Sequence, residues 1–500
     1  MNINNFLSDL NLILPEIIVV STLIVVLLFD LIFKNNKTLL PILTLAGLVL
    51  AFFFTILNFG VNSFAFGYSS NNYLLSIDDF SVFFKVVILF SSLIIIGFSV
   101  TSNEIKICKD RHGEYYSLIL GMIIGMFFIV SANDLIIIYI SIEILSLSSY
   151  VLAGFVKTSI RNSEASLKYV IYGGVSSGIM IFGMSLIYGM TGSTNLIEIN
   201  NILKVTTFSD VTFLISILMV LAGLGFKISI VPFHFWTPDV YEGAPLPITA
   251  YLSVASKAAG FAVLIRFIKI MFLSGITNNE YWVLFPIIDW RSLLIIFSII
   301  TMTLGNLSAL WQDNLKRMLA YSSIAHAGYI LLGLAVLSNQ GLTAVLVYFI
   351  IYLFMNLGAF FVVMLISNEI NSEDIDDYKG LGYSLPFLAA MLSIFLISLV
   401  GLPPTAGFIA KLYLFIALVD AKMILVAVIA LLNTVLSLYY YIRVLRNLYL
   451  SKPSEKTITL KNTSLKYSLV LVMAIPVLIL GVYFAPITDL AKYSLKILGM

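Results

Sequence analysis

The chain has 500 residues, of which 60% are hydrophobic and only 11% are charged, and its formal net charge is +2. Soluble globular domains carry about 25% charged residues, so this composition excludes that class and indicates an integral membrane protein.

Apolar runs long enough to cross a bilayer follow one another along the chain. At about 20 residues per crossing they predict an all-α polytopic membrane protein of about fourteen transmembrane helices. The first run has no basic residue before it and no small-residue cleavage site after it, so it is predicted to remain as a span. The predicted spans are 12–33, 39–59, 79–101, 115–132, 134–156, 165–190, 209–235, 246–268, 291–309, 318–337, 341–367, 386–418, 423–449 and 465–487.

Cysteine and glycine patterns limit the chemistry that this chain can perform. The single cysteine, Cys108, can make neither an internal disulfide nor a four-cysteine iron–sulfur site. No glycine-rich nucleotide-binding motif is present in the sequence. We therefore expect no metal or cofactor site on this chain, and we expect any redox chemistry to take place on another polypeptide.

Basic residues lie mainly in the loops that leave odd-numbered spans. Seventeen lysines and arginines are predicted on that side and only seven on the other, with Arg266 and Lys269 among the seven. Because cytoplasmic loops are enriched in basic residues, both termini are predicted to lie on the non-cytoplasmic side.

Four lysines remain inside the predicted spans: Lys85, Lys227, Lys257 and Lys411. Lys85 is close to a span end, and its side chain is predicted to extend toward Asp78 and Asp79. The other three lie deeper, as does Glu143. Lys257 and Glu143 are each about 15 Å from either surface, and a charge at that depth costs roughly 2.5 to 3.5 kcal/mol.

Two interpretations compete for the deep charges. They could hold helices together as static buried pairs, or they could bind and release protons. Three lysines cannot all be neutralised by Glu143, and this surplus favours proton sites. Burial disfavours a charged ammonium group and a nearby carboxylate favours it, so a change in distance between Glu143 and Lys227 would switch proton affinity.

Helix-breaking residues accompany two of the lysines. In the seventh span Gly223 and Gly225 come just before Lys227, and Pro232 follows it. In the twelfth span the motif "GLPPTAGFIAK" ends at Lys411. Because proline removes a backbone donor and glycine leaves helical geometry easily, both spans are predicted to be interrupted near mid-membrane.

The two motifs also predict an internal repeat. Lys227 and Lys411 are 184 residues apart, and the fourth and ninth spans are separated by a similar distance. A five-helix unit crosses the membrane an odd number of times, so two copies must be inverted, each with one broken helix. The predicted units are three N-terminal transmembrane helices at 1–114, a first repeat at 115–272, a second at 273–449, and a loop with the last helix at 450–500.

Other polar residues carry weaker patterns. Glu164 and Lys168 are four residues apart and are expected to form an ion pair near the cytoplasmic surface. His234 and His326 could relay protons or could equally be hydrogen-bonded packing residues. The acidic segment 369–377 is predicted to be a solvated loop, because its spacing does not match a calcium site.

Four stretches resemble a known family: "GFKISIVPFHFWTPDVYEGAPLPITAYLSVASKAAGFA", "NSEASLKYVIYGGVSSG", "LKRMLAYSSIAHAGY" and "GLPPTAGFIAKLY". They closely resemble the subunit N family of bacterial proton-translocating NADH:quinone oxidoreductase, respiratory complex I, whose members are antiporter-like membrane subunits. The resemblance extends from span four to span thirteen. A sister subunit, M, has a glutamate where this chain has Lys411. Ala410 departs from the glycine expected in "FIGK".

The resemblance implies a membrane-arm subunit of a bacterial cell inner membrane complex, packed among other subunits and lipid. Such a subunit couples electron transfer from NADH to quinone to proton export, while NADH, FMN, iron–sulfur clusters and quinone are bound by partner subunits. The resemblance makes Glu143 and Lys227 a switchable pair, Lys257 the central proton carrier, and Lys411 the residue that faces the outer exit. The implied supporting polar axis consists of Glu164, Lys168, His234, Lys316 and His326.

Two alternatives remain open from the residues. A subunit of a cation/proton antiporter would use the same lysines without a redox partner. A purely structural membrane subunit would use the charges only to fix helix register, and its proton flux would not depend on them.

Overall fold

The computed structural model describes residues 3–33, 37–67, 72–157, 159–206, 210–451 and 463–499. Lys34, Lys452, Lys456 and Lys461, which the charge distribution placed on the cytoplasmic side, lie outside these residues, as does most of the loop in the predicted 450–500 unit. Within the described ranges the α-helices are α1 Ile3–Leu12, α2 Leu14–Ile32, α3 Leu40–Leu57, α4 Asp79–Thr101, α5 Asn103–Ile107, α6 His112–Ser131, α7 Leu135–Ala153, α8 Ile160–Thr191, α9 Leu196–Val205, α10 Asp210–Ile228, α11 Trp236–Gly243, α12 Leu246–Tyr251, α13 Lys257–Phe272, α14 Trp290–Leu310, α15 Leu315–Ala335, α16 Asn339–Ile370, α17 Leu381–Ser384, α18 Pro386–Val400, α19 Ala406–Asp420, α20 Ile424–Leu450, α21 Thr463–Val482 and α22 Ala485–Tyr493.

Thirteen helical segments of the described chain are long and apolar enough to cross a membrane. The predicted twelfth span is divided into α18 and α19, each of 15 residues, and neither half is long enough alone. Counted together, these two half-helices supply the remaining crossing. The prediction of about fourteen transmembrane helices is therefore confirmed, and most span ends fall within a few residues of the predicted ones.

Short elements connect the spans. Strands β1 Ser63–Gly67 and β2 Tyr73–Ile77 form one antiparallel hairpin, and β3 Leu273–Ile276 and β4 Trp282–Leu284 form another. Both hairpins follow even-numbered spans, so they share one face of the molecule. Short 3₁₀ turns occupy Lys37–Leu39, Lys109–Arg111 and Ile375–Tyr378.

Side-chain caps fix where several helices begin. Asp78 accepts a hydrogen bond from the amide of Ser81, whose hydroxyl satisfies the Asp78 amide, and this capping box starts α4. Asn314 caps α15 by accepting from the amide of Arg317. These caps satisfy amide groups that have no partner within the helix.

The centre of the bundle consists of α13, α15 and α16, which are buried along nearly their whole length. Helices α2, α3, α8, α20 and α21 surround them and expose apolar side chains. Exposed apolar surface on an outer ring is the pattern expected of helices that face lipid or neighbouring membrane subunits. Polar groups in the middle turns of these central helices are consequently shielded from both water and lipid.

The seventh span is interrupted at a different place from the predicted one. Gly223 and Gly225 are helical, and α10 continues through Lys227 to Ile228 before the chain turns at 229–235. A side chain at Gly223 would collide with Met180, so the glycine serves helix contact and not interruption. The break therefore follows Lys227 instead of preceding it.

The twelfth span breaks where the sequence predicts. α18 ends at Val400, the next residue Gly401 has a φ of +87° that favours glycine, and α19 begins after Thr405. One irregularity is not evident from the sequence: a π-helical turn at Leu252–Ser256 joins α12 to α13 directly before Lys257.

Two buried ion pairs correct the predicted surroundings of basic residues. Lys85 does not extend toward Asp78 or Asp79, because its ammonium group lies 2.6 Å from Glu16 on α2 and both side chains are buried. Arg266, predicted near a loop, is fully buried in α13. Its guanidinium group donates to both carboxylate oxygens of Asp78, at 2.8 and 3.0 Å.

Candidate functional site

Three lysines at mid-span share one environment. Lys227, Lys257 and Lys411 have 1%, 2% and 4% of their surface exposed. Within the described ranges no carboxylate lies within 4.0 Å of their ammonium groups, and each donates only to hydroxyl or carbonyl oxygens. They differ in this respect from Lys85, which Glu16 neutralises.

Lys227 is in the last turn of α10, where its ammonium group donates to the hydroxyl of Ser146 at 3.2 Å. Ser146 is three residues after Glu143 on α7, so the two groups are about one helical turn apart. Glu143 itself is partly buried and accepts a hydrogen bond from Ser177 on α8. Glu143 and Lys227 thus both lie at α7, but each is hydrogen bonded to a serine and not to the other: Lys227 to Ser146, and Glu143 to Ser177.

Close helix packing brings Lys227 beside the helix that carries Lys257. A β-carbon at Gly260 would lie 2.5 Å from the side chain of Ile228 and 3.6 Å from Cγ of Lys227. Gly260 is one turn beyond Lys257 on α13. The absence of a side chain at Gly260 therefore lets α10 approach α13 at the level of the two lysines.

Lys257 follows the π-helical turn and points toward α15. Its ammonium group donates to the hydroxyl of Ser323 at 2.6 Å and to the carbonyl oxygen of the same residue at 2.8 Å. A π-helical turn changes the direction of the side chains that follow it, and such turns are frequent at functional sites.

Lys411 lies against the end of the preceding half-helix. Its ammonium group donates to the carbonyl oxygen of Val400, the last residue of α18, at 2.7 Å, and to Thr434 on α20 at 3.3 Å. It also lies 4.8 Å from the centre of the Tyr329 ring. The negative end of the α18 dipole and the face of the ring both favour a cation here.

Helix α15 joins the surroundings of Lys257 and Lys411. Ser323, His326 and Tyr329 occur at every third position of this helix. Ser323 contacts Lys257, Tyr329 lies under Lys411, and the His326 ring is 6.1 Å from the Tyr329 ring. Nδ1 of His326 is hydrogen bonded to the hydroxyl of Tyr348 at 2.7 Å. His326 therefore lies between the two lysines.

Lys316, at the start of α15, is buried but ion-paired. Its ammonium group lies 3.0 Å from Glu373 and donates to the carbonyl oxygen of Ala244 at 3.0 Å. A cavity of about 540 Å³ reaches this pair from the surface. The segment 369–377, predicted to be a simple solvated loop, thus supplies the counter-ion of a buried lysine.

Glu164 and Lys168 form the predicted i, i+4 ion pair, with 2.8 Å between their charged atoms. Lys168 also contacts Asp239 at 2.6 Å, and Arg317 bridges Asp239 and Glu242 at 2.9 and 2.7 Å. The three additional members come from α11 and α15. Asp239 and Glu242 could not be identified from the sequence because the predicted spans 209–235 and 246–268 leave α11 as a connection between them.

His234 lies in the turn after α10, with its side chain buried. Its Nδ1 atom forms no hydrogen bond, and its ring packs against Phe235 at 4.6 Å. It is separated from Lys227 by the break in the span. The structure therefore does not place His234 on the same helical face as Lys227, as an uninterrupted span would have done.

Serines and tyrosines form the part of the site that the sequence did not reveal. Three serine hydroxyls are hydrogen bonded to the predicted proton-carrying groups. Ser146 accepts from Lys227, Ser177 donates to Glu143, and Ser323 accepts from Lys257. The hydroxyls of Tyr241 and Tyr352 are buried, and no described residue lies within hydrogen-bond distance and geometry of them. Across the described part of the chain, no three His, Cys, Asp or Glu side chains are arranged to hold a metal ion.

The chain is similar to known proteins over nearly its whole length. The family described as NADH:quinone oxidoreductase/Mrp antiporter, TM, matches residues 132–437. A relative from Chloroherpeton thalassium, NADH-quinone oxidoreductase subunit N 2, is 46% identical over 492 residues, which cover 97% of this chain and 94% of the relative. A relative from Chlorobium chlorochromatii, NADH-quinone oxidoreductase subunit N, is 45% identical over 97% of this chain and 95% of its own length.

Among solved structures, a chain of respiratory complex I from Thermus thermophilus with bound aureothin is similar to this chain. The TM-score is 0.77 at 28% identity, and the match covers 96% of this chain and all of the other. A chain of the Mrp complex from Dietzia sp. DQ12-45-1b has the same fold, with a TM-score of 0.82 at 20% identity over 97% of each chain.

Proposed function

Since the chain belongs to the subunit N family of NADH:quinone oxidoreductase, we propose that Glu143, Lys227, Lys257 and Lys411 carry the protons that it moves. The chain is a proton-translocating membrane-arm subunit of this complex, which couples electron transfer from NADH to quinone to proton export. NADH, FMN, the iron–sulfur clusters and quinone would be bound by partner subunits. The chain would lie in a bacterial inner membrane with both termini on the non-cytoplasmic side.

One observation carries the assignment of the residues. At mid-span, Lys227, Lys257 and Lys411 are buried, donate only to hydroxyl or carbonyl oxygens, and have no carboxylate of the described residues within 4.0 Å, whereas Lys85 and Lys316 each have one within 3.0 Å. A static buried charge is stable only when it is paired, so the unpaired lysines fit groups that gain and lose protons. The paired lysines fit a structural role.

The contacts support a route with two segments. In the first, the proton would pass from the surroundings of Glu143 and Ser146 to Lys227, and across the Gly260 contact to Lys257. In the second, it would pass along α15, from Ser323 past His326 to Lys411. Buried water would bridge the remaining gaps, and the unpartnered hydroxyls of Tyr241 and Tyr352 are groups that ordered water satisfies.

The proposed driving event is a change of distance between Glu143 and Lys227. In this structure the two groups are held by Ser177 and Ser146, and thus represent the separated arrangement. Breaking a buried pair costs about 3 to 5 kcal/mol. Moving one proton against 100 mV costs about 2.3 kcal/mol, so a pairing switch is large enough to drive the transfer.

The repeat proposal has support in helix packing. Gly125 of α6 faces the backbone of α7 at Leu145, and Gly305 of α14 faces the backbone of α15 at Ala325. Each pair joins the first two spans of one proposed repeat, and the glycines are 180 residues apart, close to the spacing of Lys227 and Lys411. We propose that residues 115–272 and 273–449 form the two inverted repeats.

The decisive experiment measures proton transport per NADH oxidised in membrane vesicles that contain the assembled complex. We expect Lys227→Ala and Lys257→Met to lower this ratio by about tenfold or more, because a proton carrier is lost. Lys379→Ala is the control, since Lys379 is exposed and lies in a loop.

Two results would overturn the proposal. An assembled Lys227→Ala complex that pumps normally would show that this lysine carries no proton. Fewer assembled complexes with unchanged pumping per complex would assign the lysines a structural role. Sodium transport that is independent of NADH would instead support antiporter activity.

A further inference from the structure

Lys269 has an unusual environment near the end of α13. Only 1% of its surface is exposed, yet within the described ranges it forms no hydrogen bond and no ion pair. Its ammonium group lies over the Trp282 ring, 4.8 Å from the ring centre. The other buried lysines of the described chain all have oxygen partners. Lys269 is therefore a buried basic group that forms no ion pair with any side chain of the described residues.

The Lys269 side chain lines a cavity of about 750 Å³ on the face that carries both β-hairpins. Helix α9 forms one wall with Asn200, Asn201 and Lys204, and the end of α13 with β3 forms another. Asn200 fixes the two walls together, because its amide nitrogen donates to the carbonyl oxygens of Met271 and Leu273 at 3.1 and 2.9 Å. The shape of the cavity is thus fixed by hydrogen bonds between α9 and the segment where α13 meets β3.

Acidic groups nearby are already engaged. Asp78 is neutralised by Arg266 and also accepts from the amide of Leu498 at 3.0 Å. Glu198 of α9 accepts from Asn72 at 2.8 Å and from Ser193 at 2.5 Å. Neither carboxylate lines the cavity. Because Asn200 already donates its amide group to two backbone carbonyl oxygens, the cavity wall offers Lys204, Lys269 and the amide of Asn201, a combination that attracts an anion.

The position of the cavity relative to the bilayer indicates which kind of anion it would meet. Lys269 is twelve residues beyond Lys257, or about 18 Å along the helix. If Lys257 is at the bilayer centre, Lys269 lies just outside the hydrocarbon half-thickness of about 15 Å, at the level of lipid phosphates. Trp282 and Tyr73 beside the cavity are residue types enriched at this interface. Apolar side chains, among them Ile270, Leu273 and Ile276, also line the cavity.

We propose that this cavity binds the phosphate of an anionic phospholipid, with Lys269 as its counter-ion and Lys204 at the rim. The apolar wall accommodates the glycerol and the first carbons of the acyl chains. This site is independent of the proton route, because none of the four proposed proton-carrying residues lines it.

The test uses the complete complex in vesicles that contain a photoreactive phosphatidylglycerol, followed by mass spectrometry of labelled peptides. We expect label on peptides from α9 and β3. Lys269→Met should lower this label about fivefold, the effect of losing one basic residue near a lipid surface. Lys269→Arg should retain the label. Lys422→Gln is the matched control, since Lys422 is exposed in another loop of the same predicted face.

Two further measurements distinguish the phosphate of an anionic lipid from free inorganic phosphate. Photoreactive phosphatidylcholine should label these peptides several-fold less, because its headgroup has no net charge. Inorganic phosphate at millimolar concentration should not compete, and competition by it would identify a free-anion site and overturn the lipid assignment. Equal labelling of the Lys269→Met and unmodified complexes would also overturn it. Assembly on native gels verifies that each variant complex is intact.

Discussion

The ammonium group of Lys257 binds Ser323 twice, through the hydroxyl at 2.6 Å and through the carbonyl oxygen at 2.8 Å. The pair joins the two most deeply buried helices of the bundle, α13 and α15. One of these two acceptors belongs to the side chain and can be removed by substitution, while the other belongs to the backbone and stays.

Ser323→Ala should therefore weaken proton pumping without abolishing it. The carbonyl oxygen still holds the ammonium group, so we expect pumping per NADH to fall by about two- to tenfold, the effect of losing about one hydrogen bond. Ser185→Ala on α8 is the control, because that hydroxyl is exposed and bonds only to its own helix. Equal pumping by the Ser323→Ala and unmodified complexes would exclude the hydroxyl from the route.

Gly260→Ala should disturb the contact between Lys227 and Lys257. The new β-carbon would overlap Ile228, and relief of that overlap would move α10 away from α13. Overpacking of this kind costs about 1 to 3 kcal/mol, so we expect lower thermal stability of the complex together with slower pumping. Gly178→Ala is the matched control, since a β-carbon there meets nothing within 4 Å. Identical behaviour of the two variants would argue against the close approach.

Glu16→Gln should destabilise the subunit strongly. Lys85 would be left as a buried charge without its partner, and such a loss costs about 3 to 5 kcal/mol. Amounts of assembled complex on native gels and the temperature of aggregation both report the effect. Replacement of both residues, Glu16→Leu with Lys85→Met, should recover most of the stability. If the double variant is no better than Glu16→Gln, Lys85 is needed for more than pairing.

His326→Gln tests whether the imidazole exchanges protons. Glutamine can hydrogen bond to Tyr348 but cannot bind and release a proton at neutral pH, so a relay role predicts at least tenfold slower pumping. Tyr348→Phe removes the hydrogen bond while keeping the imidazole, and its effect should be smaller. A larger effect of Tyr348→Phe would indicate that His326 acts through packing.

Sequence patterns predicted the spans well, because hydropathy over 20 residues is a property of each segment alone. The break beside Lys411 was also predictable, since two adjacent prolines cannot continue a helix. The break beside Lys227 was misplaced because Gly223 and Gly225 serve close contact with neighbouring helices, which a single sequence does not reveal.

Charge partners were the least predictable part of the site. Arg266 meets Asp78 from 188 positions away, and Lys85 meets Glu16 across two spans. The predicted partners of Lys85 were its neighbours in the chain, whereas the actual pairs are set by how the helices pack. The hydroxyl groups of Ser146 and Ser323 were overlooked for the same reason. The roles of Glu143, Lys227, Lys257 and Lys411 remain predictions.

Ser323, His326 and Tyr329 are fixed to one rigid rod at intervals of about 4.5 Å along its axis. Their mutual spacing consequently cannot change unless α15 itself unwinds. A tilt or slide of α15 would move these three side chains closer to either Lys257 or Lys411 and farther from the other lysine. Access at the two ends would then alternate, and a continuous leak of protons through the subunit would be prevented by the stiffness of a single helix.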